Sequence, residues 1–169
     1  MRKLILILTL LFVAKNIFGQ SPHSPFSFRQ LIDDKGALSN ISYCFLEDRD
    51  GFLWIGTGDG LKRYDGHDFK VFKHEATKSG TLINNDVETI CEDKLGRIWI
   101  GTGEGICYFD KKSNQFSNLK GFDKSENVCY TIVCDEAGDI WFTLRGRGLF
   151  HYIEKTDRKS TRLNSSHRH

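Results

Sequence analysis

The sequence predicts an all-β chain assembled from repeated units of four short antiparallel strands, and three observations carry that prediction. A segment around a tryptophan recurs along the chain, and each recurrence opens on an Asp-x-x-Gly turn. Beyond the first twenty residues no stretch shows a sustained 3.6-residue apolar period.

The recurrence can be read directly. Asp48-Arg49-Asp50-Gly51-Phe52-Leu53-Trp54-Ile55-Gly56-Thr57-Gly58-Asp59-Gly60-Leu61 returns as Asp93-Lys94-Leu95-Gly96-Arg97-Ile98-Trp99-Ile100-Gly101-Thr102-Gly103-Glu104-Gly105-Ile106. A third copy runs Asp135-Glu136-Ala137-Gly138-Asp139-Ile140-Trp141-Phe142. It then departs through Thr143-Leu144-Arg145-Gly146-Arg147-Gly148-Leu149, one residue longer before the second glycine. The tryptophans lie 45 and 42 residues apart. Gly51, Gly96 and Gly138 fall where a tight hairpin needs a positive φ, which only glycine adopts without strain.

Each copy carries strand-like sequence on both sides. Ile41–Glu47, Val87–Glu92 and Val128–Cys134 precede it and are rich in β-branched, aromatic and small apolar residues. Leu61–Asp65 and Ile106–Asp110 follow, then Asp68–Phe72 and Gln115–Leu119. Four antiparallel strands every 40–45 residues are the signature of a β-propeller blade. The chain thus reads as about three blades of an incomplete propeller, a partial β-propeller over 21–156 with repeats at about 41–85, 86–127 and 128–156. One blade cannot cover both its faces. Trp54, Trp99 and Trp141 are therefore expected in equivalent strands, largely buried against neighbouring blades except where a missing blade exposes one.

The two ends read differently. Arg2 and Lys3 precede an apolar run from Leu4 to Val13, and Gly19-Gln20 leads into polar sequence, which is the order of a secretory signal peptide over 1–20. Lys15 interrupts the run well short of the roughly 20 apolar residues a membrane span needs. Residues 157–169 are polar and aperiodic and read as a non-native or disordered tail. Between these ends 17 Lys/Arg face 21 Asp/Glu, a net charge near −4. A nucleic-acid partner wants a basic patch on the folded part, and only Arg145/Arg147 and Lys111/Lys112 offer one, so no nucleic acid is expected.

Chemistry-bearing patterns resolve mostly into turns. Gly56-Thr57-Gly58-Asp59-Gly60 lacks the Gly-Lys-Ser/Thr of a phosphate loop and leads into a strand. Asp48-x-Asp50-Gly51 lacks the further ligands of a calcium loop, so Asp48, Asp93 and Asp135 read as turn-capping residues and no metal is expected. The five cysteines form no C-x-x-C pair. They permit one or two disulfides without specifying any, and buried free thiols are the reading for most of them. No catalytic set can be assembled and no cofactor is implied. Arg145 and Arg147 stand where the third copy departs from the pattern, and their guanidinium groups suit acidic sugars, which makes them candidate ligand-binding residues.

The repeats resemble those of two-component regulator propellers, whose motif runs aspartate, glycine turn, Leu/Ile-Trp-Ile-Gly-Thr, glycine, Leu. Phe26-Ser27-Phe28-Arg29-Gln30-Leu31, followed by Gly36-Ala37-Leu38-Ser39-Asn40, is similar to the opening of that family's ectodomains. The resemblance implies the N-terminal part of a periplasmic, oligosaccharide-sensing propeller belonging to a hybrid histidine kinase. The parent would be anchored in the inner membrane and dimeric, with its kinase activity outside this chain. An exported propeller enzyme of lyase or quinoprotein type, or a protein-binding scaffold, is the alternative reading.

Overall fold

The computed structural model describes residues 26–28, 30–31, 41–123 and 126–154. The leader expected at 1–20 and the tail expected from 157 lie outside the described residues. Strands β1 (Ser42–Glu47), β2 (Leu53–Thr57), β3 (Gly60–Tyr64) and β4 (Phe69–Phe72) form one antiparallel sheet in sequence order. Strands β5 (Val87–Glu92), β6 (Ile98–Thr102), β7 (Gly105–Asp110) and β8 (Gln115–Asn118) form the next. The third sheet holds β9 (Cys129–Cys134), β10 (Ile140–Leu144) and β11 (Gly148–Tyr152). Among the described residues this sheet has three strands.

The turn glycines behave as their spacing predicts. Gly51, Gly96 and Gly138 have φ of 82°, 80° and 96°. Register is conserved from sheet to sheet: Leu53 faces Tyr64, Ile98 faces Phe109 and Ile140 faces Tyr152. Positions can therefore be compared blade by blade through strand pairing alone.

The apolar cores lie between the sheets. One gathers Trp54 and Leu61 of the first sheet with Val87, Ile90, Ile98, Ile100, Cys107, Phe109 and Phe116 of the second. The other gathers Trp99 and Ile106 with Cys129, Ile132, Ile140, Phe142 and Leu144 of the third. Trp54 and Trp99 reach forward to the same place in the following blade. Trp54 lies 5.5 Å from Phe109, and Trp99 lies 5.4 Å from the equivalent Tyr152, both measured between ring centroids.

Close approach of the sheets explains the glycine of Trp-Ile-Gly-Thr. A Cβ on Gly56 would lie 2.7 Å from Val87 Cγ1, and one on Gly101 would lie 2.6 Å from Cys129 Sγ. Val87 and Cys129 hold equivalent positions, opposite Thr102 and Leu144. Gly101→Ala is accordingly expected to destabilise the fold by about 1–3 kcal/mol through overpacking. A urea unfolding midpoint equal to the wild type would contradict this.

Cys91 on β5 and Cys134 on β9 form a disulfide between the inner strands of the second and third blades, a pairing the sequence left open. Cys44, Cys107 and Cys129 are free. Burial pushes the Cys44 thiol up to about 11 and those of Cys107 and Cys129 up to about 12. All three are therefore protonated at neutral pH and act as packing groups.

Candidate functional site

The two ends of the blades are built differently. At the lower end, where β1 turns into β2, each Asp-x-x-Gly segment closes a lock onto its own tryptophan. Asp48 Oδ1 accepts the backbone N–H groups of Asp50 and Phe52, each at 3.0 Å, while Oδ2 accepts the Trp54 indole N–H at 2.7 Å. Asp93 repeats this with Leu95, Arg97 and Trp99, and Asp135 with Gly138, Asp139 and Trp141. The aspartate thus fixes the turn and orients the ring that fills the next interface.

A charge clasp joins the first two blades at this end. Lys111, just past β7, donates to Asp48 Oδ2 (2.8 Å), Asp50 Oδ2 (2.8 Å) and Glu92 Oε1 (2.9 Å). Burial opposes ionisation of Asp48, but the Lys111 ammonium, the Trp54 indole and the Phe52 N–H outweigh it and hold the carboxyl below its usual range. Asp93 is held down in the same sense: burial opposes, and Trp99 and Arg97 prevail. Carboxyls held low contribute stability above about pH 4, the unfolded value, and lose it as pH falls through the folded value. Acid titration of the fold should therefore show cooperative loss only below about pH 4. A transition near neutrality would contradict the assignment. Lys111→Ala strands the fully buried Asp48 carboxylate and is expected to cost about 3 kcal/mol, read from a denaturant midpoint at pH 7.

The upper end holds the starts of the inner strands and the tips of the β2–β3, β6–β7 and β10–β11 hairpins. Each inner strand is bulged here. Pairing skips Tyr43 in β1, Glu88 in β5 and Tyr130 in β9, three positions that coincide in the repeat. A bulge re-aims the extra side chain out of the ladder, and bulges recur beside binding sites. Tyr43 and Tyr130 are 46% and 49% exposed, a large aromatic surface to leave open. Burial, then the Asp86 charge, pushes the Glu88 carboxyl up. A Cβ on Gly58 would lie 3.3 Å from the Tyr43 hydroxyl, and one on Gly103 3.2 Å from Asp86 Oδ2, so the tip glycines leave room for this rim. The rim offers two phenols and two carboxylates, groups that stack on and hydrogen-bond a polyhydroxylated ligand. Because Glu88 is held above its free value, its ionised form opposes folding as pH rises past the unfolded carboxylate value. Glu88→Gln should stabilise the fold at pH 7, checked by thermal melting; a lower melting temperature would contradict this.

Arg145 and Arg147 both lie on the β10–β11 tip at the upper end. Arg147 is engaged within the fold: it donates to Asn127 Oδ1 and lies over the Phe122 and Phe150 rings at 5.8 and 5.4 Å. Arg145 donates its backbone N–H to Val128 O, and its side chain is exposed. The structure thus leaves Arg145 as the more available of the two candidates. Sequence reasoning did not single out Tyr43, Glu88 and Tyr130. Their signal is positional, a repeat column that holds tyrosine, glutamate and tyrosine in three successive inner strands.

Residues 36–59 and 81–104 match the two component regulator propeller family. Over 82 residues the chain is 29% identical to a histidine kinase of Formosa agariphila, covering 48% of this chain and 6% of that protein. Among solved structures, the extracellular domain of the hybrid two component system BT3049 from B. thetaiotaomicron superposes with a TM-score of 0.53 at 26% identity, over 68% of this chain and 14% of that one. The extracellular domain of BT4673 from the same organism gives 0.52 at 27% identity, over 65% and 16%. The chain therefore spans only a small part of these relatives. Two of its three repeats thus match the two component regulator propeller model, and its fold is a propeller like the extracellular sensor regions of hybrid two-component systems.

Proposed function

We propose that this chain forms the first blades of an extracytoplasmic propeller that senses an oligosaccharide for a hybrid histidine kinase, with the upper rim of the inner strands as the ligand face. The observation that carries the reading is the repeat column Tyr43, Glu88 and Tyr130, bulged out of three successive inner strands in repeats of the regulator-propeller type. The leader-like sequence over 1–20 supports export. The Cys91–Cys134 bridge fits an oxidising compartment, since disulfides persist where thiols are not kept reduced. Anchoring in the inner membrane, dimerisation and kinase activity belong to the parent protein in this reading.

A propeller closes by packing its last blade on its first. The isolated 20–156 segment should therefore self-associate and lack glycan affinity, while the complete ectodomain is soluble and binds. Analytical ultracentrifugation with calorimetric titration of a soluble oligosaccharide panel checks both halves. A monodisperse 20–156 segment that binds sugar tightly would place the whole site within these blades and overturn the multi-blade reading.

A further inference from the structure

The lower corners of the first two blades each place a cation beside the Asp–Trp lock, and the two junctions supply it differently. At the first, Lys111 of the following blade reaches Asp48. At the second, Glu154 occupies the position equivalent to Lys111, two residues past the partner of the first β-residue. There Arg97 of the preceding blade supplies the cation instead. It contacts Asp93 Oδ2 at 2.6 Å and Glu154 with both guanidinium arms, at 3.0 and 2.6 Å. The cation has changed sides, and each of these two corners keeps one on its aspartate.

The third corner has neither cation. Asp139 takes the place of Arg97, and among the described residues no lysine or arginine reaches Asp135 or Asp139. Asp139 pairs with His151 at 2.8 Å, and the His151 ring stacks on Trp141 at 3.8 Å. The corner thus presents two carboxylates, a histidine and a half-buried indole on the forward face of the blade. The same face carries Thr143 where the first two blades carry Gly56 and Gly101. In those blades the glycine admits Val87 and Cys129 of the next inner strand. Thr143 closes that space to a side chain of such size.

We infer that the forward face of the third blade is a docking surface for a further repeat of the same kind, one that brings a basic residue at the Lys111 position onto Asp135 and Asp139 and a small residue, Gly, Ala or Ser, at the Val87 position against Thr143. Both requirements follow from the two junctions already formed. Ser42 stands at the Val87 position of the first repeat, so a small residue is compatible with this strand. The inference rests on the repeat fold and not on the ligand reading, so a failed glycan titration leaves it standing.

Trp54 and Trp99 are fully buried, so acrylamide quenching of the chain's fluorescence reads Trp141. The test extends the chain after Glu154 with a copy of its own residues 67–123, with Val87→Ser and Trp99→Phe in the copy, so that no further tryptophan reports. That copy supplies an outer strand, a link and a complete following repeat. With Lys111 retained in the copy, quenching of Trp141 should fall several-fold below that of the unextended chain. With Lys111→Glu in the copy it should remain at the unextended level, and adding Asp139→Arg to that variant, which recreates the Arg97–Glu154 arrangement, should restore shielding. Retaining valine in the copy should weaken shielding. Equal shielding with Lys and Glu would overturn the charge requirement, and equal shielding with Ser and Val the steric one. If no extended chain shields Trp141, the Asp139→Arg pair included, the face does not accept a repeat. All chains are compared at a dilution where ultracentrifugation shows monomers, and shielding of the unextended monomer by added Zn²⁺ would assign the face to a metal ion instead.

Discussion

Trp99→Ala is expected to lower the unfolding free energy by about 3–5 kcal/mol, the range for deleting a large buried aromatic side chain. Trp99 is fully buried between the second and third blades, against Tyr108 at 5.1 Å and Tyr152 at 5.4 Å. Its removal empties that interface and also strips Asp93 of the indole N–H it accepts. The buried carboxylate then keeps its backbone donors and Arg97, so the expected loss is partial. Trp141→Ala, at a half-buried site, should cost clearly less. Urea denaturation of both variants checks the order. Equal losses would contradict the packing of Trp99 into the blade that follows it.

Loss of the Cys91–Cys134 bridge should cost nearly as much. It closes a loop of 43 residues and ties two inner strands directly. The chain-entropy account gives about 4 kcal/mol for a loop of that length. Cys91→Ser with Cys134→Ser should thus unfold at markedly lower urea than the oxidised wild type, and reduction of the wild type should reproduce the shift. Cys44→Ser, which removes no bridge, serves as the comparison. An unchanged midpoint in the double variant would mean the blades hold together without the covalent link.

The repeat architecture was legible because strand and turn chemistry are local. Asp, Gly and Trp at fixed spacing define a hairpin and a buried ring, and the inner strands fall within one residue of their expected bounds. The Asp-to-Trp hydrogen bond was within reach of the same spacing, six residues in all three copies, but turn capping alone accounted for the aspartate. Contacts between blades were not legible. Lys111 meets Asp48 across 63 positions, and Glu154, at the Lys111 position, carries the opposite charge where Arg97 stands in place of Phe52. Such pairs depend on how sheets are stacked, which composition does not encode. The disulfide escaped for the same reason: Cys91 and Cys134 are offset by one position in the repeat and meet only across the interface. At the candidate site, Arg145 and Arg147 drew notice as departures from a pattern. Tyr43, Glu88 and Tyr130 became visible only once strand register exposed the bulge.

In the proposed function the upper rim is the ligand face, and calorimetric titration of the complete ectodomain with a soluble oligosaccharide panel tests that proposal most directly. The glycan that binds the wild type should bind the Tyr43→Ala/Tyr130→Ala variant at least about tenfold more weakly, since each lost stacking contact is of the order of 1 kcal/mol. A lower-end control, Lys112→Ala, should bind it as the wild type does. Undiminished affinity in the tyrosine variant, with or without an effect of the control, would remove the ligand from this rim.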